Sequence, residues 1–147
     1  MTVEQFDPGR HNFDRVMEIL ALSIPQPAEQ ARQWVPDFYA PDGRDLFVGL
    51  ASDVVVGILG IVIHADGGKA EIRHIAVHPD HRRQGVGRLL VEEVGRLLGL
   101  EEVEAETGVN NAHAFYPACG FSVTSLGEKY PGVERFLCIK QFNQNTQ

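Results

Sequence analysis

The sequence is poor in most features that would announce a function. Its 147 residues include two cysteines, Cys119 and Cys138, too few for a disulfide framework and without metal-ligand spacing. Thirteen Lys and Arg against twenty Asp and Glu leave a formal charge of −7, which argues against a broad electrostatic grip on nucleic acid or anionic lipid. Basic residues must therefore act locally. The longest apolar stretch, VVVGILGIVI at 54–63, falls short of the roughly 18 residues that span a bilayer. The opening MTVEQFDPGRHNF has neither the basic start nor the apolar core of a secretion signal. These absences set the expectation of a reduced, cytoplasmic protein with no membrane or nucleic-acid partner. Internal repeats and low-complexity linkers are missing too, so one domain over residues 1–142 is expected to carry the function, with NQNTQ at 143–147 as a frayed tail.

Hydrophobic spacing supplies the elements. Val3 to Phe6 suits a short strand, and Phe13, Val16, Met17, Ile19 and Leu20 recur at helical spacing over 12–23. AEQARQWVPDFY at 28–39 suits a second helix ending near Pro36. Its Trp34, Phe38 and Tyr39 either pack on a sheet or wall a substrate pocket. LFVGLA, VVVGILGIVIH and AEIRHIAVH, joined by SD and ADGGK, read as an antiparallel meander. Val86, Leu90, Val94, Leu97 and Leu98 then form one stripe of a helix over 85–98, with Glu92 and Arg96 set to pair and Gly99 as its cap. A strand at 103–108, a helix at 110–120 capped by Asn110 or Asn111, and strands FSVTSL and RFLCIKQF complete the order. Strand, helix and strand over 70–108 make a βαβ unit, so the class is α/β (α+β) with a mixed, mostly antiparallel sheet flanked by about four helices. RFLCIKQF is the expected exposed edge.

HPDHRRQGVGRLL at 78–90 sets arginines and glycines at the start of that helix. A helix N-terminus exposes unpaired N–H groups and the positive end of the macrodipole, Gly85 and Gly87 allow close approach, and Arg82, Arg83 and Arg88 add charge. The ligand expected is a phosphate or pyrophosphate. A dinucleotide loop would need glycine where Leu90 stands, and a P-loop would need Gly-Lys-Ser/Thr, which is absent.

AEIRHIAVHPDHRRQGVGRLL resembles the strand, pyrophosphate loop and helix of the GNAT superfamily of N-acetyltransferases, whose R/Q-x-x-G-x-G/A motif is met by Arg82, Gly85 and Gly87. NNAHAFYPACGF resembles the family's second signature through Asn111, Ala114, Tyr116, Gly120 and Phe121. The resemblance covers the element order from end to end and implies a GNAT fold, acetyl-CoA as co-substrate and an amine acceptor attacking directly in a ternary complex. It implies that Arg82, Arg83, Gln84, Gly85, Val86, Gly87 and Arg88 hold the pyrophosphate, and that Ile75, Ala76 and Val77 pair with the pantetheine arm beside a V-shaped gap facing strand 103–108. Val77 N–H is the implied oxyanion donor, and Asn111 a helix cap that also touches the pantetheine. Relatives often pair as homodimers through edge strands.

For proton transfer, Glu71 matches the catalytic glutamate of some members, with His74 as the alternative because its ordinary pKa of about 6.5 suits a base. Strand alternation puts the two on opposite faces unless a bulge intervenes. Tyr116 matches the tyrosine that reprotonates the leaving thiolate, although Pro117 behind it should kink a helix there. No metal is implied. The acceptor expected is a small primary amine drawn by Asp37, Glu128 and Glu134; the alternatives are a noncatalytic acyl-CoA sensor and an enzyme acetylating protein N-termini or lysines.

Overall fold

A computed structural model describes residues 1–142; the expected frayed tail at 143–147 lies outside the described residues. Seven strands form one sheet: β1 (Thr2–Gln5), β2 (Arg44–Ala51), β3 (Val54–Ile63), β4 (Lys69–Val77), β5 (Glu102–Thr107), β6 (Ser122–Tyr130) and β7 (Val133–Gln141). Their spatial order is β1-β2-β3-β4-β5-β7-β6, and among the described residues the only parallel pair is β4 with β5. The helices are α1 (Phe13–Leu20), α2 (Ala28–Phe38), α3 (Val86–Leu98), α4 (Val109–His113) and α5 (Phe115–Ala118), with short 3-10 turns at Ala21–Ser23 and Pro79–His81. Among the described residues, no helix is long and apolar enough to cross a membrane.

The unbroken apolar run of β3 is explained by its position. Residues Val55 to Ile61 are buried because helices cover both faces of the sheet there. Val16, Met17, Ile19 and Leu20 of α1, with Ala31 and Val35 of α2, pack on one face against Val48, Val55 and Ile58. Val86, Leu90, Val91 and Val94 of α3 pack on the other against Val56, Leu59, Ile61, Ile72 and Val103. The stripe read from α3's sequence is this second layer except for Leu97, which the helix turns toward solvent. Asn12 accepts from Arg15 N–H to cap α1, as its residue type favours.

Several details differ from expectation. α2 continues through Pro36 to Phe38, since proline removes one N–H in the last turn without ending the ladder. Arg96 pairs with Glu93, and Glu92 is taken by Arg88 at 3.1 Å. The 110–120 helix is two short ones: Gly108, not Asn110 or Asn111, precedes α4, and the chain breaks at Ala114 (φ −127°, ψ −72°). Pro117 thus falls in the first turn of α5, where its missing N–H would have had no helical partner. β7 is not an edge: it inserts between β5 and β6, so β1 and β6 are the outer strands.

The most consequential detail is a bulge. β3 and β4 pair as Ile61 with Ile72 and then Gly60 with His74, leaving Arg73 as the extra residue. Before it, Ala70 and Ile72 face α3; after it, Ile75 and Val77 do, while Ala76 packs toward α1 and α2. Glu71 and His74 therefore share one face, the exception the alternation argument allowed for. The parallel pairing of β4 with β5 ends at Glu71 with Glu104, so the strands part where the bulge bends β4.

Leu90 is fully buried where α3 meets β2 and β3, and Leu90→Ala should cost about 2–5 kcal/mol. Chemical denaturation would show this as a lower midpoint with an unchanged slope.

Candidate functional site

The parting of β4 and β5 opens a cleft of about 1090 Å³ whose walls come from β4, the 81–88 loop, α3, β5, α4, α5 and β7. Direction of the β4 backbone decides what it offers there. His78 N–H donates to Val56 O at 2.8 Å, so by alternation Ala76 also faces β3, and the N–H and C=O of Ile75 and Val77 turn toward the gap. Consistent with this, the Val77 carbonyl accepts from Arg82 Nε across the opening at 3.2 Å.

At the cleft's loop end, Arg83 (φ 63°) and Gly85 (φ 78°) are both left-handed, and α3 begins at Val86. The first helical bond is Leu89 N–H to Gly85 O, and the main-chain N–H groups of residues 83–88 have no acceptor among the described residues. A Cβ at Gly85 would meet open space, so glycine is required there by φ alone. Gly87 differs: a Cβ would lie 2.6 Å from the Phe115 ring, so its smallness seats α5 against α3 rather than clearing a path for a ligand. Of the nearby arginines, Arg88 is held by Glu92, Arg82 by Val77 O, and Arg83 has no described partner.

Toward the other end, His74 is 8 % exposed and lies among Trp34, Phe38 and Tyr39, with ring centroids 5.7–6.0 Å away. The Tyr39 hydroxyl and His74 Nδ1 are 2.6 Å apart. Gly60 makes this possible, because a Cβ there would collide with the Tyr39 hydroxyl. The aromatic cluster packs behind His74 on the sheet and is not part of the cleft wall. Burial, helped by the Arg73 charge, lowers the His74 pKa to about 4, so its ring is neutral near pH 7. Burial raises the Tyr39 pKa, keeping its phenol protonated.

Ile75, Ala76, Val77, Arg82, Arg83, Gly85, Val86, Gly87, Arg88, Asn111 and Tyr116 all line the cleft; Gln84 and Glu71 do not. Glu71 instead pairs with Arg73 at 2.9 Å. Asn111 is exposed and caps nothing. Tyr116 is buried edge-on to Phe115 and Phe121, which raises its pKa, and its hydroxyl has no described hydrogen-bond partner. The sequence reading named neither Ser23 nor Thr107 on the walls, nor His81 and Phe115, although these two lie inside the quoted motifs. Ser23 and Thr107 arrive from separate elements that no motif marks.

This arrangement agrees with the comparisons to known proteins. A profile of the acetyltransferase (GNAT) family matches residues 13–121. The chain belongs to that family. Among relatives, the IAA acetyltransferase of Azospirillum brasilense is 38% identical over 87 residues, 56% of either chain. The chain therefore spans little more than half of that relative's length. An aminoglycoside 6'-N-acetyltransferase complexed with coenzyme A superposes with TM-score 0.73 at 16% identity, covering 96% of this chain and 97% of the other. The ribosomal-protein-S18-alanine N-acetyltransferase of Escherichia coli gives 0.71 at 20%, covering 95% and 92%. At these identities the superpositions establish the shared GNAT fold.

His74 also makes a prediction. Its pKa is about 6.5 unfolded and about 4 folded, so between those values the unfolded chain binds more protons and stability falls with falling pH. Urea midpoints measured from pH 7 to pH 4 should decline across that window, and His74→Gln should flatten the decline.

Proposed function

We propose that this chain transfers the acetyl group of acetyl-CoA to a primary amine of a small molecule, within one acetyltransferase domain over residues 1–142. The observation that carries the reading is the row of unpaired main-chain N–H groups at 83–88, opening onto a cleft edged by the N–H groups of Ile75 and Val77. Such a row suits a pyrophosphate, and a free strand edge suits the amides of a pantetheine arm. Relatives support the donor, since the aminoglycoside enzyme was solved with coenzyme A.

Acetyl-CoA supplies the acetyl group as a thioester. The N–H groups of 83–88, with Arg82 and Arg83, hold its phosphates, and Val77 N–H donates to the carbonyl oxygen as charge develops there. His74 takes the proton given up by the amine as its nitrogen bonds to carbon. The support for His74 over Glu71 is its place on the cleft wall and its neutral ring, whereas the Glu71 carboxylate is engaged by Arg73. With Nδ1–H donating to the Tyr39 oxygen, the Nε2 lone pair is left to accept the amine's proton. Tyr116, kept protonated by burial, gives its phenolic proton to the leaving sulfur. One C–N bond forms, one C–S bond breaks, and each proton has a named origin and destination.

Calorimetric titration with acetyl-CoA tests the reading. Wild-type binding is expected in the micromolar range, weakened by Gly85→Ala, which strains the loop by about 1–2 kcal/mol without filling the cleft. Absence of wild-type binding sinks the proposal. In steady-state assays His74→Gln and Tyr116→Phe should each lower kcat about 10²- to 10⁴-fold with acetyl-CoA affinity preserved. A larger loss from Glu71→Gln than from His74→Gln would return the base role to Glu71.

A further inference from the structure

Arg73 from β4 and Arg135 from β7 both line the cleft, each paired with one acid, and among the described residues the one acid on its walls is Glu106. Glu106 is already taken twice, by Lys129 Nζ at 3.1 Å and Arg135 Nε at 3.2 Å, and both bonds lower its pKa. Glu71, just outside, is held by Arg73 Nε. The acids expected from the sequence to attract a cation are elsewhere. Glu134 meets Ser125, Glu128 accepts from Gly132 N–H, and neither they nor Asp37 reaches the cleft.

Each of the two arginines bonds its acid through Nε alone, and no described acceptor takes either terminal pair of N–H₂ groups. Two forks of a planar, permanently charged group are the geometry that receives a carboxylate. A polycationic acceptor would instead have to displace two existing ion pairs to find an acid.

We propose that the acceptor amine carries a carboxylate, as in an amino acid, and that the terminal guanidinium nitrogens of Arg73 and Arg135 bind it. This rests on the acetyltransferase reading for the fate of the amine, but the binding does not depend on turnover. The carboxylate is held at the β4 and β7 walls, which leaves the amine free to lie toward His74, the residue next to Arg73.

The test pairs free amino acids with their carboxamides, which keep the amine and lose the charge. Binding to the wild-type protein is followed by protein NMR shifts, with and without coenzyme A, and acetyl transfer by thiol release. Free acids should bind about 10- to 100-fold more tightly than the amides, and Arg73→Gln or Arg135→Gln should erase that preference while leaving acetyl-CoA affinity unchanged. KM for the acid should rise by a similar factor with kcat little altered. Equal binding of acid and amide, a preference for spermidine, an aminoglycoside or phosphoethanolamine, or the absence of any amine binding would each overturn the proposal. Failure of acetyl-CoA to bind, with the acid preference intact, would strike the acetyl-transfer reading alone.

Discussion

β4 loses its partner on one side just where it gains an extra residue, and the cleft follows from that. Up to Glu71 the strand pairs with β3 on one edge and β5 on the other. Past the bulge at Arg73 it stays with β3, while β5 stays with β7 through Thr107. The sheet divides without breaking, because every strand keeps at least one ladder. Its cost is a set of backbone groups on Ile75 and Val77 without a strand partner, tolerable because the cleft is open to solvent and Arg82 Nε reaches the Val77 carbonyl.

The bulge also sets side-chain chemistry. By moving His74 onto the face that Glu71 already occupied, it brings an imidazole against α2, where Trp34, Phe38 and Tyr39 enclose it. Tyr39 can reach Nδ1 only because Gly60, the residue opposite His74, has no side chain. A glycine in a buried central strand weakens local packing, and here it admits a hydroxyl that orients a titratable ring. Desolvation of that ring lowers its pKa, so the same contacts that pack the sheet keep it neutral.

Charge is distributed against the overall balance. The chain carries −7, yet Arg73, Arg82, Arg83, Arg88 and Arg135 converge on one opening that contains a single acid. Acidic residues elsewhere set the sign of the overall charge, while the arginines set that of the opening. The local charge thus comes from placement rather than from composition.

The sequence by itself determined the layered architecture and the glycine-bearing turn that opens α3, for a physical reason. Helical and strand periodicities, and the glycine needed at a left-handed position before α3, are local properties written in consecutive residues. Arg82, Gly85 and Val86 could be named for the same reason, and Tyr116 because a compact signature surrounds it. What depended on pairing between distant segments was not legible. The Arg73 bulge arises from register with β3, β7 becomes interior because β6 folds outside it, and Gly87 serves Phe115, which lies 28 residues away by number in another helix. Whether Glu71 or His74 lines the cleft, and whether the acids of the last hairpin are free or tied, were decided only in tertiary structure, because burial, ion pairing and the direction of a side chain are properties of neighbours that the chain brings together by folding.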